Sequence, residues 1–210
     1  MMKLWHCADA RSFRALWALE ELGLAYELEV LPFPPRWLKP EFLEVNPLGT
    51  IPFFEDGATR MTESAAICEY LAARQGSDLA VRPDEPDYGA YLNFLHQGEA
   101  TLTFPQTLVL RYGRLEKPEK RLPQVVEDYR RWFVARTAWA ELALADGREF
   151  LCAGRFTMAD ISVAYAMLLA ENLGIDGDVG PNLKAHWARM RQRDGFSRAK
   201  AAQRPPRPQS

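Results

Sequence analysis

Two short stretches of this chain carry residue types suited to holding a peptide-like ligand. The first is Thr50-Ile51-Pro52, a proline opening the run Phe53-Phe54-Glu55. A proline at the first residue of a strand gives up its own N–H. If the bond before it is cis, the chain turns sharply, and the amide and carbonyl of Ile51 can pair with an extended peptide as another strand would. The second is Glu63-Ser64, where a helix should begin. Ser64 is a good N-cap for a helix starting at Ala65. The amides and partial positive charge at such a terminus suit a carboxylate, and Glu63 can receive an ammonium group. A ligand with an α-amino acid end satisfies both. Each stretch also has a plainer reading: a trans proline at an edge strand, and an ordinary helix cap beside an acid.

The elements around these stretches decide whether they can meet. Residues 3–7 read as a strand. In 11–22, Phe13, Leu16, Trp17 and Leu19 recur at helical spacing, and Gly23 is placed to end the helix. Tyr26, Leu28 and Val30 alternate with Glu27 and Glu29, the period of a half-buried strand. Residues 39–45 form a short helix or turn stopped by Asn46-Pro47. Residues 51–55 and 60–62 flank Asp56-Gly57, a hairpin signal, and Ser64–Arg74 is helical. The order β-α-β-α-β-β-α predicts a small mixed sheet with helices packed on it.

Residues 77–87, rich in Pro and Asp, read as a linker. Everything beyond is predicted helical: 88–112, with Pro105 expected to kink or end it, then 122–145, Met158–Leu173 and 182–193. The expected division is therefore 1–76, a linker at 77–87, an all-helical domain over 88–200, and a disordered tail at 201–210.

Composition removes several function classes. With 28 acidic against 26 basic residues the net charge is −2. Nucleic acid and anionic membranes need a concentrated basic surface, so neither is expected as a partner. No apolar run approaches the roughly 20 residues that span a bilayer. The first residues, Met1 to Cys7, turn polar too early for a signal peptide, so a cytoplasmic location is expected. Three widely spaced cysteines predict no disulfide framework, and the three histidines lack metal-ligand spacing. There is no Gly-rich phosphate loop and no nucleophile elbow. Cys7 has no second cysteine three residues on, which excludes dithiol chemistry.

The pattern Asn46-Pro47-x-Gly49-x-Ile51-Pro52, with Thr62-Glu63-Ser64-x-Ala66-Ile67-x-x-Tyr70-Leu71 after it, resembles the N-terminal domain of cytosolic glutathione transferases of the bacterial type. So does Ala18-Leu19-Glu20-Glu21-Leu22-Gly23-Leu24-x-Tyr26-Glu27. The likeness covers residues 3–76 almost continuously. It implies an α/β thioredoxin-like domain followed by an all-α domain, with glutathione as co-substrate. It also implies that Pro52 is cis, that the Ile51 backbone pairs with the cysteinyl part of glutathione, that Glu63 and Ser64 hold its γ-glutamyl end, and that Thr50 lies beside them. Phe156-Thr157-Met158-Ala159-Asp160-Ile161 resembles the family's buried capping motif. Thr157 can cap the helix while Asp160 reaches back to the backbone, a structural role.

A transferase must stabilise the glutathione thiolate. A free thiol, with a pKa of about 8.5, is only a few per cent ionised at neutral pH. The family carries Tyr, Ser or Cys for this purpose after the first strand. Here the loop reads His6-Cys7-Ala8-Asp9-Ala10-Arg11-Ser12, with no tyrosine. Ser12 is the nearest hydroxyl and the expected catalytic residue. Cys7 comes next, and Arg11 could act electrostatically. The expected reaction is attack of the thiolate on a small apolar electrophile, for which Phe104, Leu108 and Tyr112 would line a pocket. The expected assembly is a homodimer. The same site could serve glutathione-dependent peroxide reduction, isomerisation or monothiol reduction, and the same fold a binding or assembly module without catalysis.

Overall fold

The computed structural model describes residues 1–204. These form two compact units, one built from Met1–Ser77 together with the chain from Arg191 onward, the other from Asp78–Met190.

The first unit is a thioredoxin-like α/β domain. Its strands are β1 (Met2–His6), β2 (Tyr26–Val30), β3 (Phe53–Asp56) and β4 (Thr59–Met61), in the order β2-β1-β3-β4. Strand β1 runs parallel to β2, with Leu4 opposite Leu28, and antiparallel to β3, with Trp5 opposite Phe53. Strands β3 and β4 form the hairpin, with Phe54 opposite Met61. One sheet edge therefore collects the C-terminal ends of β1, β2 and β4 and the N-terminal end of β3. The helices of this unit are α1 (Phe13–Glu21), the short α2 (Pro35–Leu38) and α3 (Phe42–Val45), and α4 (Ser64–Arg74). The expected single segment at 39–45 is thus preceded by a separate turn of helix. Pro35 starts that turn, in a position where its missing N–H costs nothing.

Residues Phe13 to Leu19 of α1 are buried all round, more than a one-faced helix would be. The second cover comes from the end of the chain, where Asp194–Ala202 is a helix. This corrects the expectation that 88–200 belongs wholly to the helical domain and that the tail begins at 201; residues 205–210 lie outside the described part. The Phe196 ring meets Phe13 and Trp17 edge-on at centroid distances of 5.4 and 5.1 Å. The Arg193 guanidinium holds both Glu21 carboxylate oxygens at 2.8 and 2.9 Å.

The second unit is all-helical. Helix α5 (Tyr88–His96) passes through a π-helical stretch, Gln97–Thr103, into α6 (Phe104–Leu110) and a second π-helical stretch, Arg111–Leu115. The wide turn ends two residues before Pro105, whose missing N–H removes a rung of the helical ladder. Helices α7 (Pro123–Arg136) and α8 (Ala138–Ala143) divide at Thr137, whose hydroxyl donates to the Val134 carbonyl at 2.7 Å. Helix α9 (Met158–Leu173) is the core, buried from Met158 to Ala170. Gly98 lets α9 approach, since a Cβ there would stand 2.6 Å from the Ser162 carbonyl oxygen. Helix α10 (Pro181–Met190) completes the unit.

The capping box of α9 is present, with Asp160 accepting the Thr157 amide at 2.8 Å. Asp160 also takes the Leu151 amide at 3.0 Å and His186 Nε2 at 2.9 Å, all within the buried interior. Helix α11 is the Asp194–Ala202 helix of the first unit. Among the described residues, no helix is long and apolar enough to cross a membrane, and no group of His, Cys, Asp and Glu is arranged to hold a metal ion.

Candidate functional site

Three loops leave the end of the sheet where β1, β3 and β4 share their ends, and the predicted site residues lie on them. Continuing the hairpin register two residues past Phe54 and Met61 puts Pro52 across from Glu63. Continuing the β1–β3 register past Trp5 and Phe53 puts Cys7 across from Ile51. Packing agrees with this extrapolation: Trp5, Cys7, Leu31, Phe42, Ile51 and Phe53 form one buried cluster, with Ala10 against it.

The Ile51–Pro52 bond is cis. Among the described residues, no backbone or side-chain group is hydrogen-bonded to the amide or carbonyl of Ile51. The loop leading to it is stitched by Asn46, which is 2% exposed. Its Oδ1 accepts the Leu48 amide at 3.1 Å, and its Nδ2 donates to the Thr50 carbonyl at 2.8 Å. Gly49 has φ +59°, and a Cβ there would meet Leu43 and Arg36 side-chain carbons at 2.8 and 2.9 Å. The sequence showed Asn46 only as a helix stop. Its Asn-Pro-x-Gly setting is a turn signal from which the side-chain role could have been read.

Helix α4 begins at Ser64, so the N-cap residue is Glu63 rather than the expected Ser64, exposed and in extended conformation. The first-turn amides of α4 therefore sit beside the Glu63 carboxylate and the Ser64 hydroxyl. Arg14, fully buried on α1, donates from Nη1 to Ser64 Oγ at 3.3 Å. A guanidinium behind a helix N-terminus adds to the positive potential there.

The loop after β1 departs from expectation. Ser12 is fully buried. Its Oγ lies 2.7 Å from His6 Nδ1 and accepts the Cys7 amide at 3.2 Å. His6 Nε2 faces Gln203 Oε1 at 2.9 Å, and that oxygen also accepts the Asp9 amide at 3.1 Å, so Nε2 carries the proton. Nδ1 is then the acceptor, and the Ser12 hydroxyl donates to it. Burial lowers the His6 pKa to about 4, keeping the ring neutral. The Ser12 proton is thus committed inward, and a ligand outside cannot touch it.

Cys7 is equally enclosed. Its thiol donates to the Pro32 carbonyl at 3.6 Å, and burial pushes its pKa up to about 12. All three cysteines are buried, so none is an accessible thiolate. What this loop presents is the turn just before α1, with half-buried Ala10 and Arg11.

In the second unit, Phe104 is exposed and Leu108 and Tyr112 are half-buried, four residues apart along one helix. They are not core. An open cavity of about 460 Å³ in this unit lies elsewhere, between α5 and α8, with Phe94, Trp139 and Leu142 on its walls.

The family model described as glutathione S-transferase, N-terminal domain, matches residues 10–74. Glutathione S-transferase 3 of Schizosaccharomyces pombe is 25% identical over 205 residues, covering 90% of this chain and 82% of that protein. A crystal structure of a glutathione transferase from Methylococcus capsulatus superposes with a TM-score of 0.82 at 24% identity, over 97% of this chain and 98% of the other. Another, glutathione transferase URE2P8 from Phanerochaete chrysosporium with oxidized glutathione, gives a TM-score of 0.83 at 21% identity, over 96% and 94%.

Proposed function

We propose that the chain is a member of the cytosolic glutathione S-transferase family, that its first unit binds glutathione and that its activity is transfer of the glutathione thiolate to a small apolar electrophile. The observation that carries the reading is the cis Ile51–Pro52 bond just before β3, in a hairpin whose other strand, β4, leads into Glu63-Ser64 at the start of α4. Glutathione is a peptide with an α-amino acid end, and these groups are complementary to it. The Ile51 amide and carbonyl receive the cysteinyl backbone as a strand would. The first-turn amides of α4 and the Ser64 hydroxyl hold the γ-glutamyl carboxylate, Glu63 takes its ammonium, and Thr50 borders the same pocket.

This places the glutathione sulfur against the turn that opens α1. When bound, glutathione supplies the nucleophilic thiolate. The chain's part is to orient it and to favour its ionised form, through the helix terminus and the Arg11 charge. Ser12 acts from behind as a positioning residue rather than as a direct donor. Its burial and its bond to His6 support that revision. The proposed assembly is a homodimer.

A second reading is favoured by the same burial of Ser12 and Cys7: a glutathione-binding module that transfers nothing. Incubation with glutathione and a chlorodinitrobenzene separates the two. Conjugate formed faster than in buffer supports the transferase. Tight binding without conjugation supports the module.

A further inference from the structure

The polar chain that begins at Ser12 ends on the last residues of the first unit. Gln203, just past α11 and 6% exposed, closes on the β1–α1 loop from two sides. Its Oε1 accepts from His6 Nε2 at 2.9 Å and from the Asp9 amide at 3.1 Å. Its Nε2 donates to Asp9 Oδ1 at 2.6 Å, which fixes which end of the amide is oxygen. Lys200, one turn earlier, places its ammonium 2.7 and 2.9 Å from the two Asp9 carboxylate oxygens.

Asp9 itself has φ +54°, a left-handed conformation that a non-glycine residue keeps only where its surroundings hold it. The surroundings here are largely the end of the chain. Asp9 lies at the middle of the turn between Cys7 and Ala10, whose amide donates to the Cys7 carbonyl at 3.1 Å. The same amide oxygen of Gln203 also sets the His6 tautomer, and that tautomer determines where the Ser12 proton points. Gln203 thus controls the loop through its backbone at Asp9 and through its hydroxyl at Ser12.

We propose that Gln203, assisted by Lys200, is a positioning residue for thiol activation, holding the 7–12 loop in the conformation that receives the glutathione sulfur. The proposal rests on the glutathione reading above. Gln203 touches no substrate, so it acts on thiol ionisation and not on the γ-glutamyl contacts. A strap that served stability alone would leave the bound thiol unaffected.

The test is a titration of the thiolate absorbance of glutathione bound to the full-length protein, beside its dissociation constant from calorimetry. In Gln203→Met, which keeps side-chain length and removes every hydrogen bond, affinity should stay within about threefold while the bound-thiol pKa rises by about one unit. Gln203→Glu alone should raise it similarly, because a carboxylate then faces the Asp9 carboxylate where an amide N–H donated to it. Adding Asp9→Asn reverses donor and acceptor, keeps the oxygen facing His6, and should bring the value back. An unchanged thiol pKa in Gln203→Met, or no recovery in the double variant, overturns the proposal. If the wild-type protein itself binds no glutathione, the underlying reading fails and this one with it, a result recognisable because it needs no variant.

Discussion

The Ser12 hydroxyl donates to His6 Nδ1 at 2.7 Å, with both side chains fully buried. That one bond moves the expected catalytic hydroxyl from the ligand side of the loop to its interior. It also explains why a histidine is tolerated in a strand core: both ring nitrogens are satisfied, one by Ser12 and one by Gln203.

Ser12→Ala should therefore lower stability as well as disturb the loop that it positions. His6 Nδ1 loses its donor and the Cys7 amide its acceptor, a cost of about 1–3 kcal/mol. Urea denaturation should show a lower midpoint at unchanged slope. Glutathione affinity should fall by less than about fivefold, because the hydroxyl touches no part of the ligand.

His6 makes stability depend on pH. Its folded pKa is lowered from 6.5 to about 4, chiefly by burial, with Asp9 opposing the shift. Between those values the unfolded chain binds a proton that the folded chain does not. The His6 contribution is thus fully present above pH 6.5 and is lost as the pH falls toward 4, to a total on the order of 3 kcal/mol. Thermal unfolding of His6→Gln across this range should show a flatter slope than wild type; parallel slopes would refute the assignment.

Much of the framework was legible in the sequence. Tyr26–Val30, Ser64–Arg74 and Met158–Leu173 occur with the bounds read from the sequence. The Asp194–Ala202 helix was not legible: its buried residues are only Gly195, Phe196 and Ala199, too few to make a period beside Lys and Arg. The hairpin and Glu63-Ser64 could be read from local chemistry. The burial of Ser12 could not, since it depends on Gln203, 191 positions later in the chain, folding back onto β1.

Asn46→Ala should loosen the turn that delivers Ile51. It removes the bonds to Leu48 and Thr50 at 3.1 and 2.8 Å. The expected effect is a loss of about 1–2 kcal/mol in glutathione binding, a five- to thirtyfold weaker dissociation constant. Equal affinity in calorimetry would show that the turn holds itself.

Asp160→Ala should damage the second unit without touching the glutathione contacts. It leaves the Thr157 and Leu151 amides and His186 Nε2 without their shared acceptor. Removing one partner of such a buried group costs about 3–5 kcal/mol. The fall should appear in thermal unfolding, with any surviving folded protein binding glutathione as wild type does.

The central claim is that Ile51, Glu63 and Ser64 form a glutathione site. Titration calorimetry of the full-length protein at neutral pH and defined salt tests it most directly. Micromolar to low-millimolar binding, abolished when Glu63→Ala and Ser64→Ala are combined, is the predicted result. No heat of binding in the wild-type protein, or the same affinity in the double variant, would contradict the account.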